Sequence, residues 1–562
     1  MIRPDRPSPG PTLLMEENMT KLDDSYARGA GKIDPWIFLP AVLIILAVAI
    51  PLSVDAKFGY ELVTKAHGFV TTYFGWLAML VPAVCIVFLL YLSFGPYAHV
   101  KLGGPDEKPE FSTLNWVAML FCCGVGSSII VWGVAEPIYY IDGPPLGLEP
   151  RSTAAFSIAH ALPTFHWGIH GWAIYAVGTL AIAYSVYVRR EPRLRLSTAC
   201  EPVLGRRHSR GKMGAAVEVL VVVGTVGGYG TSLGLGVPFI ASFFSMLLGI
   251  PDDVKLKAVV LVIWTLIFAV SAYRGLAKGM QILSRINLWL VFITLGFIFV
   301  VGPTLFILEM SVNSLGQIFT NFINLTFSME PYNFKVDPDT FAIARTGGFP
   351  QWWPIFYWFW FIALMPVTAL FIARISKGRT IREVALGVVL WASFGCFIVL
   401  SILGGYSLYL QKTGALDVAA ILAATSPGTT AATVLFHLPL AKLMVPLYAL
   451  MAMIFLATTL DAASYALASI CTKELKGDQQ PTRGLRLAWA LILGGFSIGL
   501  LVTSGEGALR TIQTSSVALG MPLILAWLGL MISLIKSLRK DFGSLKAPEL
   551  LIAAGSNKEG NE

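Results

Sequence analysis

Residues 352–383 read WWPIFYWFWFIALMPVTALFIARISKGRTIRE. An apolar, aromatic span is interrupted once, by Pro366, and closed by Arg374, Lys377, Arg379 and Arg382. Its length suits a bilayer core of about 30 Å, and the basic cluster marks a cytoplasmic end. Trp352, Trp353, Trp358 and Trp360 fall close together. A soluble core does not need so many indoles in so short a stretch. A membrane site that holds a cation without using a carboxylate does have a use for them.

The rest of the chain has the same character. Its 562 residues are 56% hydrophobic and only 13% charged, against about 25% charged in ordinary globular domains. Apolar runs long enough to span a bilayer recur throughout, so the sequence predicts an all-α polytopic membrane protein. Twelve spans are expected, at 36–53, 72–94, 113–137, 154–188, 214–247, 255–273, 281–307, 351–373, 383–410, 438–470, 485–503 and 514–536. Segment 311–325 is too short and polar to cross. Its apolar residues recur at helical spacing, which predicts an amphipathic helix lying in the interface. Residues 1–32 are expected to form a cytoplasmic tail without a signal peptide, 33–538 the membrane domain, and 539–562 a short second tail.

The net charge of +8 collects in short loops. The loop after span 4 carries Arg189, Arg190, Arg193, Arg195, Arg206, Arg207 and Arg210, and those after spans 6, 8 and 10 are also basic. The intervening loops carry Asp252, Asp253, Glu330, Asp337 and Asp339. The positive-inside rule then puts both termini in the cytoplasm, and the charge is read as topology rather than nucleic-acid binding. The six cysteines, at 85, 122, 123, 200, 396 and 471, show no metal-ligand spacing and read as small buried thiols. Without a Walker A motif, a metal box or a nucleophile elbow, the sequence offers no case for an enzyme or an ATP-driven pump. The energy source is expected to be an ion gradient.

Several spans look broken. Span 3 contains Gly124 and Gly126, span 5 contains Gly224, Gly227, Gly228, Gly230, Gly234 and Gly236, and span 8 contains Pro366. Spans 3 and 8 lie five apart, and interruptions at matching places in two halves point to an inverted-repeat transporter with a midplane site. In span 4, Trp172 and Tyr175 share a helix face, and Trp167 reaches them if the helix loosens at Gly168 and Gly171. With Trp360 and Phe361 they can form a box of ring faces for a quaternary ammonium, at about 0.5–2 kcal/mol per ring contact. Trp352 and Trp353, at the span's edge, read as an interfacial belt. Asp461 in span 10 is the clearest intramembrane acid, and Thr458 and Thr459 before it offer hard oxygens for Na⁺. Back-bonding to their own helix is the competing role for the threonines. Glu136, beside Pro137, reads as outer-interface. His166 and His170 read as polar packing, with a proton route as the alternative.

FYWFWFIALMPVTALFIARISKGRTIRE closely resembles the signature of the betaine/choline/carnitine transporter family. FGPYAHVKLG, WGVAEPIYY, FHWGIHGWAIY, TSLGLG, GGFPQWW and ATTLDAASYALA fit in the family's order, so the resemblance runs over all twelve spans. It implies a fold like that of the amino-acid transporter LeuT, with inverted five-helix repeats at spans 3–7 and 8–12, and often a homotrimer. The family's aromatic box maps onto Trp167, Trp172, Tyr175 and Trp360 unchanged. Where the family usually has two further tryptophans in span 8, this chain has Phe361 and Leu364. The usual GMGIG of span 3 is GVGSS, with Ser127 and Ser128.

By the same resemblance, sodium ligands map to Phe455, Thr458 and Thr459, with Cys122 and Val125 as span 3 partners. A second sodium site maps to Thr225 and Ser232. Sodium-independent carnitine exchangers carry an Arg and a Met where this chain shows Asn287 and Thr368. The resemblance thus implies Na⁺-coupled symport of an onium compound such as glycine betaine, choline, carnitine or dimethylsulfoniopropionate. Its carboxylate would meet backbone amides around Gly124, Gly126 and Ser128. A proton-coupled or exchange transporter of the same fold is the alternative. The short, mildly charged C-terminal segment predicts no strong osmotic activation.

Overall fold

The structure is a computed structural model. It describes residues 31–543 apart from 55, 125–126, 192, 194, 275–276, 337–342, 346–347, 474, 476–479, 505–513 and 515. Both tails beyond these limits, and Val125 and Gly126 of the expected ligand set, therefore lie outside the described residues.

Among the described residues the expected apolar runs are mainly helical, and the fold class is all-α. Among the described residues, seven helices are long and apolar enough to cross a membrane, or eight if one bent pair counts as a single span. The short two-stranded ribbon Phe334–Val336 with Ile343–Arg345, in the loop before residue 349, was not foreseen. The amphipathic helix begins earlier than expected. It runs Thr304–Phe327, and it turns 106° from the preceding helix at Gly302 and Pro303, where proline cannot continue the helical bonding.

Large apolar side chains are exposed on many helices, among them Trp36, Leu43, Val87, Leu266, Phe292 and Leu525. Such a surface suits a lipid environment and would be a liability in water. The largest buried side chains include Trp132, Trp358, Trp489 and Trp527. Helix ends follow local chemistry. Thr380 accepts from the Glu383 amide while the Glu383 carboxylate accepts from the Thr380 amide at 2.7 Å, a capping box that starts the Ile381–Thr413 helix. Gly414, with φ 71°, ends it.

Two expected breaks do not occur. The glycine-rich run of span 5 lies inside one helix, Lys212–Leu248, and Pro366 lies inside the helix Pro354–Ile375. The glycines serve packing instead. A methyl at Gly228 would sit 2.9 Å from Leu364 Cδ2, and one at Gly227 would sit 2.9 Å from Leu519 Cδ1. Small residues let membrane helices approach closely. The expected break of span 3, at 125–126, lies outside the described residues, and span 4 is interrupted where a π-helical turn, His166–His170, joins Thr153–Phe165 to Gly171–Ala183, with Gly168 at φ −92° and ψ −132°. A π-turn inside a helix often accompanies a functional site.

The basic loops are also tied into the structure. Arg195 pairs with Asp34 at 3.1 Å and donates to the Thr472 carbonyl at 2.8 Å. Arg189 pairs with Asp541 at 3.2 Å, and Arg379 lies 4.3 Å over the Trp116 ring. Arg486 is buried near the start of Arg483–Ser504 and faces Asp461 at 3.6 Å. The lone intramembrane acid of span 10 is thus one half of an ion pair.

Candidate functional site

Helices Gly171–Ala183 and Pro354–Ile375 pack closely along their lengths. A methyl at Gly171 would overlap the Phe361 ring, so only glycine at this position lets that ring reach across to span 4. The aromatic residues chosen from the sequence come together there as a continuous string. Trp360 meets Trp167 edge-on at 5.5 Å, and Trp167 meets Phe361 at 6.0 Å. Phe361 meets Tyr175 at 5.0 Å, and Tyr175 meets Trp172 edge-on at 5.4 Å. Phe361 thus occupies the middle of the string, and all five side chains are buried. The loosened turn at Gly168 is what sets Trp167 on this side of the helix, as the sequence required.

Gly171→Ala is therefore expected to push Phe361 out of register. Overpacking of this kind costs about 1–3 kcal/mol. Thermal unfolding of the purified variant should show that loss as a lowered midpoint.

Polar groups hold the rings. The Trp360 indole donates to the Gly228 carbonyl at 3.0 Å. The Trp167 indole donates to Tyr357 Oη at 3.1 Å and to Glu136 Oε2 at 3.2 Å. Glu136, read from the sequence as outer-interface, is enclosed by protein. It is fully buried, accepts a hydrogen bond from Tyr140 Oη, and lies 3.2 Å from His166 Nδ1. Tyr357 also stacks on His166 at 4.6 Å. Neither Glu136 nor Tyr357 was chosen from the sequence. The only available signal for Tyr357 was its position three residues before Trp360, which places it on the same helix face. His170 is bonded to Thr326 Oγ1 at 2.8 Å and stacks on Trp358 at 5.4 Å, which fits the polar-packing reading.

The belt residues are tied inward. Trp352 stacks on His67 at 4.9 Å. Trp353 meets Trp132, Tyr139 and Tyr140 at 5.6, 5.3 and 4.9 Å. Leu364 packs into the notch at Gly228, so it fills space beside the string and adds no ring. Ser128 is buried at the start of the helix Ser127–Asp142. It lies about 12 Å along the helix axis from Glu136, at 1.5 Å per residue. Cys122 and Gly124 fall in the last turn of Thr113–Gly124, and their side chains lie outside the described residues.

The expected ion ligands fall in two places. Thr458 Oγ1 donates to the carbonyls of Ile454 and Phe455 at 2.9 and 3.0 Å, the back-bonded arrangement. A back-bonded hydroxyl still offers its lone pairs to a cation, and Thr459 follows in the chain. Thr225 Oγ1 lies 3.4 Å from the Ala363 carbonyl, and Ser232 Oγ lies 3.4 Å from the Gly228 carbonyl. These two side chains are two turns apart on the helix face that packs against Pro354–Ile375. The carbonyl at Gly228 receives both Ser232 and Trp360.

A family model described as "BCCT, betaine/carnitine/choline family transporter" matches residues 36–543. A probable glycine betaine transporter of Desulfitobacterium hafniense (strain Y51) is 37% identical over 482 residues, 86% of this chain and 92% of that protein. The glycine betaine transporter OpuD of Bacillus subtilis (strain 168) is 35% identical over 512 residues, 91% of this chain and 96% of that protein. Among solved structures, a Na⁺-coupled sialic acid symporter in a substrate-bound outward-open state is 13% identical. That match covers 86% of this chain and 95% of that one, with a TM-score of 0.36, too low to carry a structural argument.

Proposed function

Because this chain belongs to the betaine/carnitine/choline family of transporters, we propose that it is a Na⁺-coupled symporter of a betaine-type onium compound. Glycine betaine is the first candidate, since both relatives above are named for it. The observation that carries this reading is the buried string of ring contacts centred on Phe361. A trimethylammonium or sulfonium head cannot donate a hydrogen bond, so it is recognised by ring faces. Trp167, Trp172, Tyr175, Trp360 and Phe361 supply those faces. The substrate carboxylate meets the amides at the start of Ser127–Asp142, where the first turn of a helix leaves N–H groups unpaired.

Sodium sits against the Phe455 carbonyl and the hydroxyls of Thr458 and Thr459, with Cys122 and Val125 contributing carbonyls. A second ion engages Thr225 and Ser232. Ion and substrate then stabilise the same state, and each tightens the other. The protein works in the bacterial inner membrane with both termini cytoplasmic, as its basic loops favour.

A thermal-shift titration of the purified protein tests this reading, because a ligand that binds the folded state raises the unfolding temperature. Glycine betaine, choline, carnitine and dimethylsulfoniopropionate are each added with NaCl or with KCl. At least one should stabilise, and more strongly in Na⁺. Equal stabilisation in both salts would remove sodium from the account and favour proton coupling or exchange. Thr458→Val should weaken the sodium effect while leaving substrate binding in place.

A further inference from the structure

We propose that Glu136 is an affinity-determining residue that supplies the negative charge behind the ring faces and orients Trp167. The proposal rests on the onium reading above. Glu136 lies on the helix Ser127–Asp142, and Trp167 on the π-turn of span 4. The carboxylate and the indole are joined at 3.2 Å through Nε1. An indole N–H only donates, so Oε2 is an acceptor there. Tyr140 donates to Oε1, and His166 Nδ1 lies 3.2 Å from the same oxygen. Donors thus converge on both oxygens, Tyr140 on one and Trp167 on the other.

This side chain is fully buried. Among the described residues no Lys or Arg reaches it at ion-pair distance, and its sole partner of that kind is His166. A buried carboxylate without a guanidinium or ammonium partner is costly and is a functional candidate within a membrane. A cation on the far side of Trp167 would lie one indole away from it. Charge at that range acts strongly because little water screens it. The bond to Nε1 also pulls electron density toward the ring, which strengthens its attraction for a cation. Trp360 has no such support, since its indole donates to the neutral Gly228 carbonyl. The two tryptophans thus meet edge-on but differ in their electrostatics.

The consequence is selectivity for a positive head over a neutral head of the same shape. Glycine betaine and 3,3-dimethylbutyrate differ in that respect: the first has a trimethylammonium where the second has a tert-butyl group. Affinity for both is read by intrinsic tryptophan fluorescence on the wild-type protein and on E136Q and E136D, all checked for monodispersity. Wild type should prefer glycine betaine, and E136Q should reduce that preference about tenfold. E136D, which keeps the charge, should retain most of it. A merely structural role would weaken both ligands alike and leave the ratio unchanged. An unchanged ratio in E136Q, or an equal loss in E136D, overturns the inference.

If E136Q does not assemble, Trp167→Phe is compared with Trp360→Phe. Only the first cuts a ring from the carboxylate, so it must reduce the ratio further, and equal reductions overturn the inference. A wild-type protein that binds no onium ligand defeats the functional reading itself, whereas wild-type preference with an unmoved E136Q ratio defeats this proposal alone.

Discussion

Trp360→Leu is expected to lower onium uptake at least about thirtyfold, the equivalent of ~2 kcal/mol lost at one desolvated ring contact. Its ring contacts and its hydrogen bond are lost together. Trp360 meets Trp167 at 5.5 Å, stacks on Phe356 at 5.4 Å, and donates to the Gly228 carbonyl at 3.0 Å. Leucine offers no ring and no donor. The effect therefore reaches Trp167, which loses the neighbour that fixes its edge. Concentration-dependent uptake in cells, normalised to membrane abundance, measures the loss. Uptake within threefold of wild type would remove Trp360 from the site.

Arg486→Leu is expected to be the most destabilising single change among the polar residues. Asp461 and Arg486 lie 3.6 Å apart, both buried, with the Tyr465 ring 5.7 Å from the guanidinium. Removing one partner of a buried pair leaves an uncompensated charge and costs about 3–5 kcal/mol. The double variant Asp461→Asn/Arg486→Leu removes both charges and should be more stable than Arg486→Leu alone, since the paired term is not additive. Thermal unfolding of the three proteins in detergent decides this. A double variant less stable than the single would show that the pair is not the relevant unit.

The ring residues could be read from the sequence because their chemistry and their spacing agree. Trp172 and Tyr175 lie three apart on one helix, which is enough to bring their rings together edge to face at 5.4 Å. Trp167 required a loosened helix, and Gly168 signalled it. Other positions were opaque for definite reasons. Glu136 sits beside a proline near the end of an apolar run, which is also how an interfacial acid looks. Its burial depends on Tyr140, His166 and Trp167, two of which come from a different span. The pairing of Arg486 was hidden as well, because nothing local in sequence says that Asp461 faces it.

The glycines of span 5 misled for a related reason. A helix break and a packing notch call for the same residue, and only the neighbours Leu364 and Leu519 distinguish them. Trp353, which at the edge of a span suits a lipid belt, also meets Trp132 and Tyr140 from another helix, contacts that its own segment does not signal.

Sodium-driven onium transport is read from uptake of radiolabelled glycine betaine into proteoliposomes holding only this protein. Under an inward Na⁺ gradient the account predicts accumulation above the external concentration, little in K⁺ alone, and none above empty liposomes for Trp360→Leu. Failure of the wild-type protein to move glycine betaine, choline, carnitine or dimethylsulfoniopropionate under any Na⁺ or H⁺ gradient, or with internal substrate for exchange, would contradict it.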